Sequence, residues 1–344
     1  MFHARAAQGH LFSILLVDDG AESAARGDRG FVATLIGDGR PLVVLSGLAL
    51  LACGVFAIFL AATGRFLPHD VEYLGMTSQQ LCGLHACRIV HFMIHDRVSF
   101  GGVLVAIGIM YVWLAEFPLR RGEGWAWWTL AASSIAGLLS FLAYLGYGYL
   151  DTWHGVATLG LLPLFGGGLA RTRALRRARI PRPRLDLATR EGRGRAVLMT
   201  ATFGMAAAGA TITTVGATMV FVPQDLEFLG VTVTDLHGIN PRLVPLIAHD
   251  RAGFGGALLS AGIVMFLSVL YGRLDRSLCE ALALAGIAGF GTAVGVHPLI
   301  RYTSVSHLGP AVAGCLVYAT GLFMTWPRRS STPSSGVTST IGGG

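Results

Sequence analysis

The chain has 344 residues, 53% of them hydrophobic and only 13% charged, with a mean hydropathy of +0.61. Soluble domains carry about 25% charged residues, so this composition excludes an ordinary soluble fold and makes the lipid bilayer the natural solvent and partner. All 26 basic residues are arginine, which excludes Schiff-base and P-loop chemistry built on lysine. The pI of 9.5 comes from arginines grouped beside apolar runs, a topogenic pattern that speaks against nucleic-acid binding.

Residues 1–40 read as a cytoplasmic N-terminal segment. Apolar runs follow near 41–64, 98–118, 125–148, 154–170, 196–222, 253–271, 278–298 and 308–326, each close to the roughly 20 residues that cross a bilayer as a helix. The expected fold is all-α: a polytopic membrane protein with eight transmembrane helices. Between Arg171 and Arg195 lie ten arginines, so residues 172–195 form an arginine-rich linker. With both termini in the cytoplasm, that linker falls inside, as do Arg120 with Arg121, Arg273 with Arg276, and Arg328 with Arg329. Every cluster then satisfies the positive-inside rule, and the expected location is a bacterial-type plasma (inner) membrane. Residues 327–344 are a polar, small-residue tail with the composition of a disordered segment.

The strongest internal signal is a repeat. FLPHDVEYLGMT from Phe66 returns as FVPQDLEFLGVT from Phe221, and HDRVSFGGVL from His95 returns as HDRAGFGGAL from His249. Such self-similarity marks a duplicated unit. The first copy is residues 41–171 and the second 196–326, each with four spans. An even number puts both copies the same way round, as parallel four-helix bundles side by side.

Chemistry concentrates where the copies agree. HDR is expected at the outer mouth of spans two and six, followed by the glycine pairs Gly101 with Gly102 and Gly255 with Gly256, which suit close helix packing. His154 and His307 open spans four and eight from the same side. Equal depth pairs His95 with His154 and His249 with His307, and two histidines on neighbouring helices can supply both axial ligands of a haem iron. Asp96 and Asp250 would orient the ligand histidines, and Arg97 and Arg251 would pair with propionates or with neighbouring acids. Asp70 with Glu72 and Asp225 with Glu227 sit in the outer loops; alternation in an extended segment would put each pair on one face, suited to a cation site or a proton relay. An interfacial His, Asp and Arg can equally pin a loop onto a helix end. Cys82 and Cys87 share an outer loop in an oxidising compartment and are disulfide candidates. His91 and His95, four apart, would share a helix face as a zinc or copper pair, with His85 or His69 as third ligand. His237 and His297 lack counterparts and read as ordinary interfacial polar residues.

Eight spans in two parallel halves, with His95, His154, His249 and His307 on the even-numbered helices, resemble the haem A synthase family. Arg97 and Arg251, near two of those histidines, and the cysteines Cys82 and Cys87 in the first outer loop fit the same resemblance. The chain departs from that family's motif in having Phe92 and Leu246 three residues before the histidine, and an aspartate between His and Arg. The resemblance implies a haem-binding membrane oxidoreductase or haem-modifying protein that exchanges electrons with a quinone or another electron-transfer partner. The alternative is a non-enzymatic transporter or scaffold whose HDR and D-x-E motifs are structural.

Overall fold

The computed structural model describes residues 37–84, 87–140, 149, 152–181, 183 and 185–327, excepting the side chains at 153 and 154. All regular structure among them is helical. The first-copy helices are α1 (Arg40–Ala62), α2 (Pro68–Leu74), α3 (Ser78–Leu84), α4 (Arg88–Leu114), α5 (Gly124–Ser140) and α6 (Thr152–Arg171). The second-copy helices are α7 (Arg190–Ala217), α8 (Pro223–Leu229), α9 (Val233–Ile239), α10 (Leu243–Tyr271), α11 (Arg276–Ile300) and α12 (Val305–Thr325).

Six described helices are long and apolar enough to cross a membrane: α1, α4 with the π turn that extends it to Leu119, α7, α10, α11 and α12. The third and fourth expected spans are represented by α5 and α6; the rest of the third, at 141–148, lies outside the described residues. Large apolar side chains such as Phe59, Leu159, Phe203, Ile287 and Phe323 stand exposed on the helix surfaces, a perimeter that only lipid would cover at low cost. The chain is a multi-pass membrane protein.

Two sequence expectations change here. The helices that carry HDR begin well before the apolar runs do: α4 starts at Arg88 and α10 at Leu243, so His95 and His249 lie two turns inside their helices and are buried. The charged residues do not end the helices because other buried charges satisfy them, as intramembrane ionisable groups require. The acidic pairs are not extended either. Pro68 and Pro223 open seven-residue helices, about two turns each, closed by left-handed Gly75 (φ 69°) and Gly230 (φ 70°). Helical spacing turns the two acids apart, burying Asp70 and Asp225 and leaving Glu72 and Glu227 exposed. Each buried aspartate caps its own helix, accepting from Leu67 N (3.4 Å) and Val222 N (2.9 Å) respectively.

The two copies also do not form separate bundles side by side. α4 and α10 pack against each other at the centre, and each also packs on the first helix of its own copy, α1 and α7 respectively. Their remaining faces cross over: α4 packs on α11 of the second copy and α10 on α5 of the first, whereas α4 meets α5 only marginally. The glycine pairs explain the exchange. Gly101 lies against Gly54 and Ile58 of α1, and Gly255 against Gly209 and Thr213 of α7. Their neighbours face the opposite copy, Gly102 against Ala288 and Thr292 of α11, and Gly256 against Ser140 of α5. Any β-carbon at these two positions would overlap the facing helix, so glycine is what lets the copies interlock.

A disulfide joins Cys82 at α3 to Cys87, the residue that starts α4 with a left-handed backbone (φ 63°).

Candidate functional site

Where α4 and α10 cross at the HDR end, four carboxylates and two guanidiniums gather, with Asp70, Asp96, Asp225 and Arg251 buried and Arg97 and Asp250 partly so. Arg97 donates from Nη1 to Asp70 Oδ2 at 2.7 Å and from Nε to Asp250 Oδ2 at 2.8 Å. Arg251 repeats the pattern, with an ion pair from Nη1 to Asp225 and Nε lying 3.8 Å from Asp96 Oδ2. Each arginine therefore ties the short-helix aspartate of its own copy to the HDR aspartate of the other. Tyr149 and Tyr302 complete the lattice, each donating its hydroxyl at 2.9 Å, to Asp70 Oδ1 and Asp225 Oδ1. Burial pushes the Asp225 carboxyl up, but the Arg251 hydrogen bond and charge outweigh it and hold the group below the usual carboxylate range. Burial and the Asp225 charge together raise the Tyr302 phenol, which keeps it a donor.

Of the partners expected for Arg97 and Arg251, the neighbouring acids are in place, and Arg97 engages Asp70 and Asp250 from separate sides of its guanidinium. Asp96 and Asp250 each stand beside the preceding histidine, with Asp96 Oδ1 at 2.9 Å from His95 Nδ1 and Asp250 Oδ1 at 3.3 Å from His249 Nδ1. Glu72 and Glu227 take no part.

The copy exchange also changes the histidine pairing. His95 meets His307 of α12 and His297 of α11, with ring centroids 5.3 and 4.6 Å away. One nitrogen from each of these three rings lies within 4.8 Å of the others. His249 is correspondingly not paired with His307. It lies edge-on to Tyr149 at 5.1 Å, and the His154 side chain falls outside the described residues. His91 and His69 are not members of the cluster, His69 lying 3.5 Å from Asp70 instead, and His85 is outside the described residues. Among the described residues the histidine group at His95 is a different one from the zinc or copper group expected with His91, its other members coming from α11 and α12.

His297 is the residue that sequence reasoning missed, since a histidine with no counterpart in the other copy carries no repeat signal. Tyr149 and Tyr302 were legible: each stands five residues before the histidine of the fourth span, His154 and His307. His237, by contrast, is exposed and bonds only its own helix, at the Val233 carbonyl.

On the other side of the lattice lies a cavity of about 410 Å³. His249, Asp250, Arg97 and Asp70 form its polar end, while Leu50, Phe100, Leu104, Leu161 and Phe165 line its apolar walls. It continues along α4 to Tyr111, 14 residues beyond Arg97, a helical rise of roughly 20 Å. There Tyr111 Oη meets Ser133 Oγ at 3.0 Å, and Ser133 meets Ser260 Oγ of α10 at 2.8 Å.

Apolar on its walls and polar at its end, this space suits an amphiphile that enters from a membrane. Compared with protein-family models, curated proteins and solved structures, the chain has no match.

Proposed function

We propose that the chain is an eight-span inner-membrane protein, two parallel four-span repeats with both termini cytoplasmic, that binds haem in the cavity beside His249 and serves as a membrane oxidoreductase or haem-modifying protein. The observation that carries this reading is the buried His249 imidazole at the polar end of an otherwise apolar cavity of about 410 Å³. Asp250 engages Nδ1, so Nε2 would be the nitrogen to take the iron, the usual arrangement of a carboxylate behind a ligand histidine. A bound haem would supply one-electron chemistry. The chain's own groups would bind and orient it: apolar side chains of α1, α4 and α6 would exclude water from the cavity, and Asp250, held by Arg97, would orient His249.

Haem does not fit between His95 and His307. Two axial nitrogens must bracket a macrocycle that extends in every equatorial direction, and a nitrogen of His297 lies within 4.8 Å of both, in the band the macrocycle would fill. The haem proposal is therefore confined to the His249 side. A quinone or another membrane electron carrier is the proposed redox partner.

A second reading draws on the lattice itself. Every arginine and aspartate of the HDR motifs is spent on joining the copies, which supports a non-enzymatic transporter or scaffold in which those motifs are structural. Visible spectra of the detergent-purified protein, oxidised and dithionite-reduced, separate the two. Haem binding predicts a Soret band that shifts on reduction and is lost in His249→Ala but kept in His307→Ala. A colourless, monodisperse protein that takes up no added haemin overturns it and leaves the scaffold reading.

A further inference from the structure

We propose that His95, His297 and His307 form a site for a divalent first-row transition ion, with Zn²⁺ as the reference ion. The site is distinct from the haem proposal and draws its ligands from both copies.

The three imidazoles come from α4, α11 and α12 and converge so that one nitrogen of each lies within 4.8 Å of the other two. A tetrahedral zinc with bonds of about 2.0–2.1 Å needs nitrogens roughly 3.4 Å apart, so the ion would draw the rings together by at most about 1.4 Å. Neither nitrogen of His297 makes a hydrogen bond of good geometry, the Ala293 carbonyl one turn back being only a weak partner, although the residue is 3% exposed. Burying a poorly partnered imidazole is costly, and a metal is one partner this surrounding would accept.

The other two rings are already oriented. Asp96 Oδ1 holds Nδ1 of His95 at 2.9 Å, the carboxylate–histidine–metal arrangement that fixes tautomer and ring angle, whereas Asp225 Oδ1, 3.9 Å from Nδ1 of His307, is too far for a hydrogen bond and contributes charge alone. Tyr302 stacks on His307 at 4.2 Å and restrains its rotation.

Charge points the same way. Among the described residues of the adjoining lattice, the carboxylates of Asp70, Asp96, Asp225 and Asp250 outnumber the guanidiniums of Arg97 and Arg251 by two. A divalent cation on three neutral imidazoles supplies the missing two charges, and bound ions are often the largest local charges in such sites. Three nitrogens without a thiolate suit Zn²⁺ and its neighbours better than Mg²⁺ or Ca²⁺. The His307 side chain, 16% exposed, marks the entry side, and a three-ligand site leaves a fourth position for water or substrate.

The test uses the full-length purified protein. Metal content is measured by mass spectrometry, with haem iron counted separately from absorbance, and the chelator-treated protein is titrated with Zn²⁺ and Co²⁺. Expected are one ion per chain, a tetrahedral Co²⁺ visible spectrum, and affinity at least about tenfold weaker in His297→Ala and His307→Gln, with His237→Ala unchanged. Absence of Zn²⁺ and Co²⁺ binding by the wild-type chain overturns the proposal, as does equal binding by wild type and His307→Gln. If His297→Ala fails to fold, the wild-type Co²⁺ spectrum and His307→Gln decide. A protein that binds zinc but never shows a Soret band keeps this site and loses the haem reading.

Discussion

Arg251→Ala is expected to destabilise the folded protein by about 3–5 kcal/mol, the usual result of removing one partner from a buried ion pair. The guanidinium is 7% exposed and faces Asp225, at 0%, and Asp96, at 1%, so neither carboxylate can turn to water when it is lost. The Val220 carbonyl, which also accepts from Arg251 Nη1 at 2.8 Å, loses its donor as well. Lysine should restore only part of the loss, because a single ammonium cannot serve these acceptors from one fork. Arg251→Met combined with Asp225→Asn should fall between wild type and Arg251→Ala, since it removes a charge of each sign. Thermal unfolding of the detergent-purified variants checks this. A change below about 1 kcal/mol would place the pair among weakly contributing surface bridges.

The second large effect is at the glycines where the copies cross. Alanine at Gly102 would put its methyl into Thr292 and the Ala288 carbonyl, and alanine at Gly256 would meet Ser140. Overpacking of this kind costs about 1–3 kcal/mol, and valine should prevent folding into a monodisperse species. Gly238 is the control: a β-carbon there meets nothing within 4 Å, so Gly238→Ala should change stability by no more than about 0.5 kcal/mol. Equal tolerance at Gly102 and Gly238 would mean that the helices do not approach as closely as described.

The helical, membrane-spanning character of the chain is legible in its apolar runs, and the repeat identifies which residues correspond. Correspondence does not say which helix packs on which. Two copies whose second helices each carry adjacent glycines can satisfy the same contacts within one copy or across two, and only three-dimensional packing chooses. That choice brought His95 together with His307 and His297 of the other copy. The depth of the HDR motifs was hidden for a related reason. Charges in an apolar run look like its end, yet these helices continue past them because the compensating charges come from residues 27 to 153 positions away. The short helices were more accessible. Proline at the first position, aspartate at the third and glycine just past the end bracket Pro68–Leu74 and Pro223–Leu229, a start-and-stop pattern that outweighs alternation as a guide.

The cavity and the histidine cluster lie on opposite sides of one ionic lattice, and both owe their shape to the exchange of helices between copies. That exchange is tested most directly by cross-linking Ser133→Cys on α5 to Ser260→Cys on α10, whose hydroxyls are 2.8 Å apart, in a chain with Cys53, Cys279 and Cys315 replaced by serine. After oxidation in the membrane and tryptic cleavage within the linker at 172–195, the two halves should migrate as one species until reductant is added. Halves that separate without reductant, however complete the oxidation, would contradict the interlocked fold and the His95–His297–His307 cluster that depends on it.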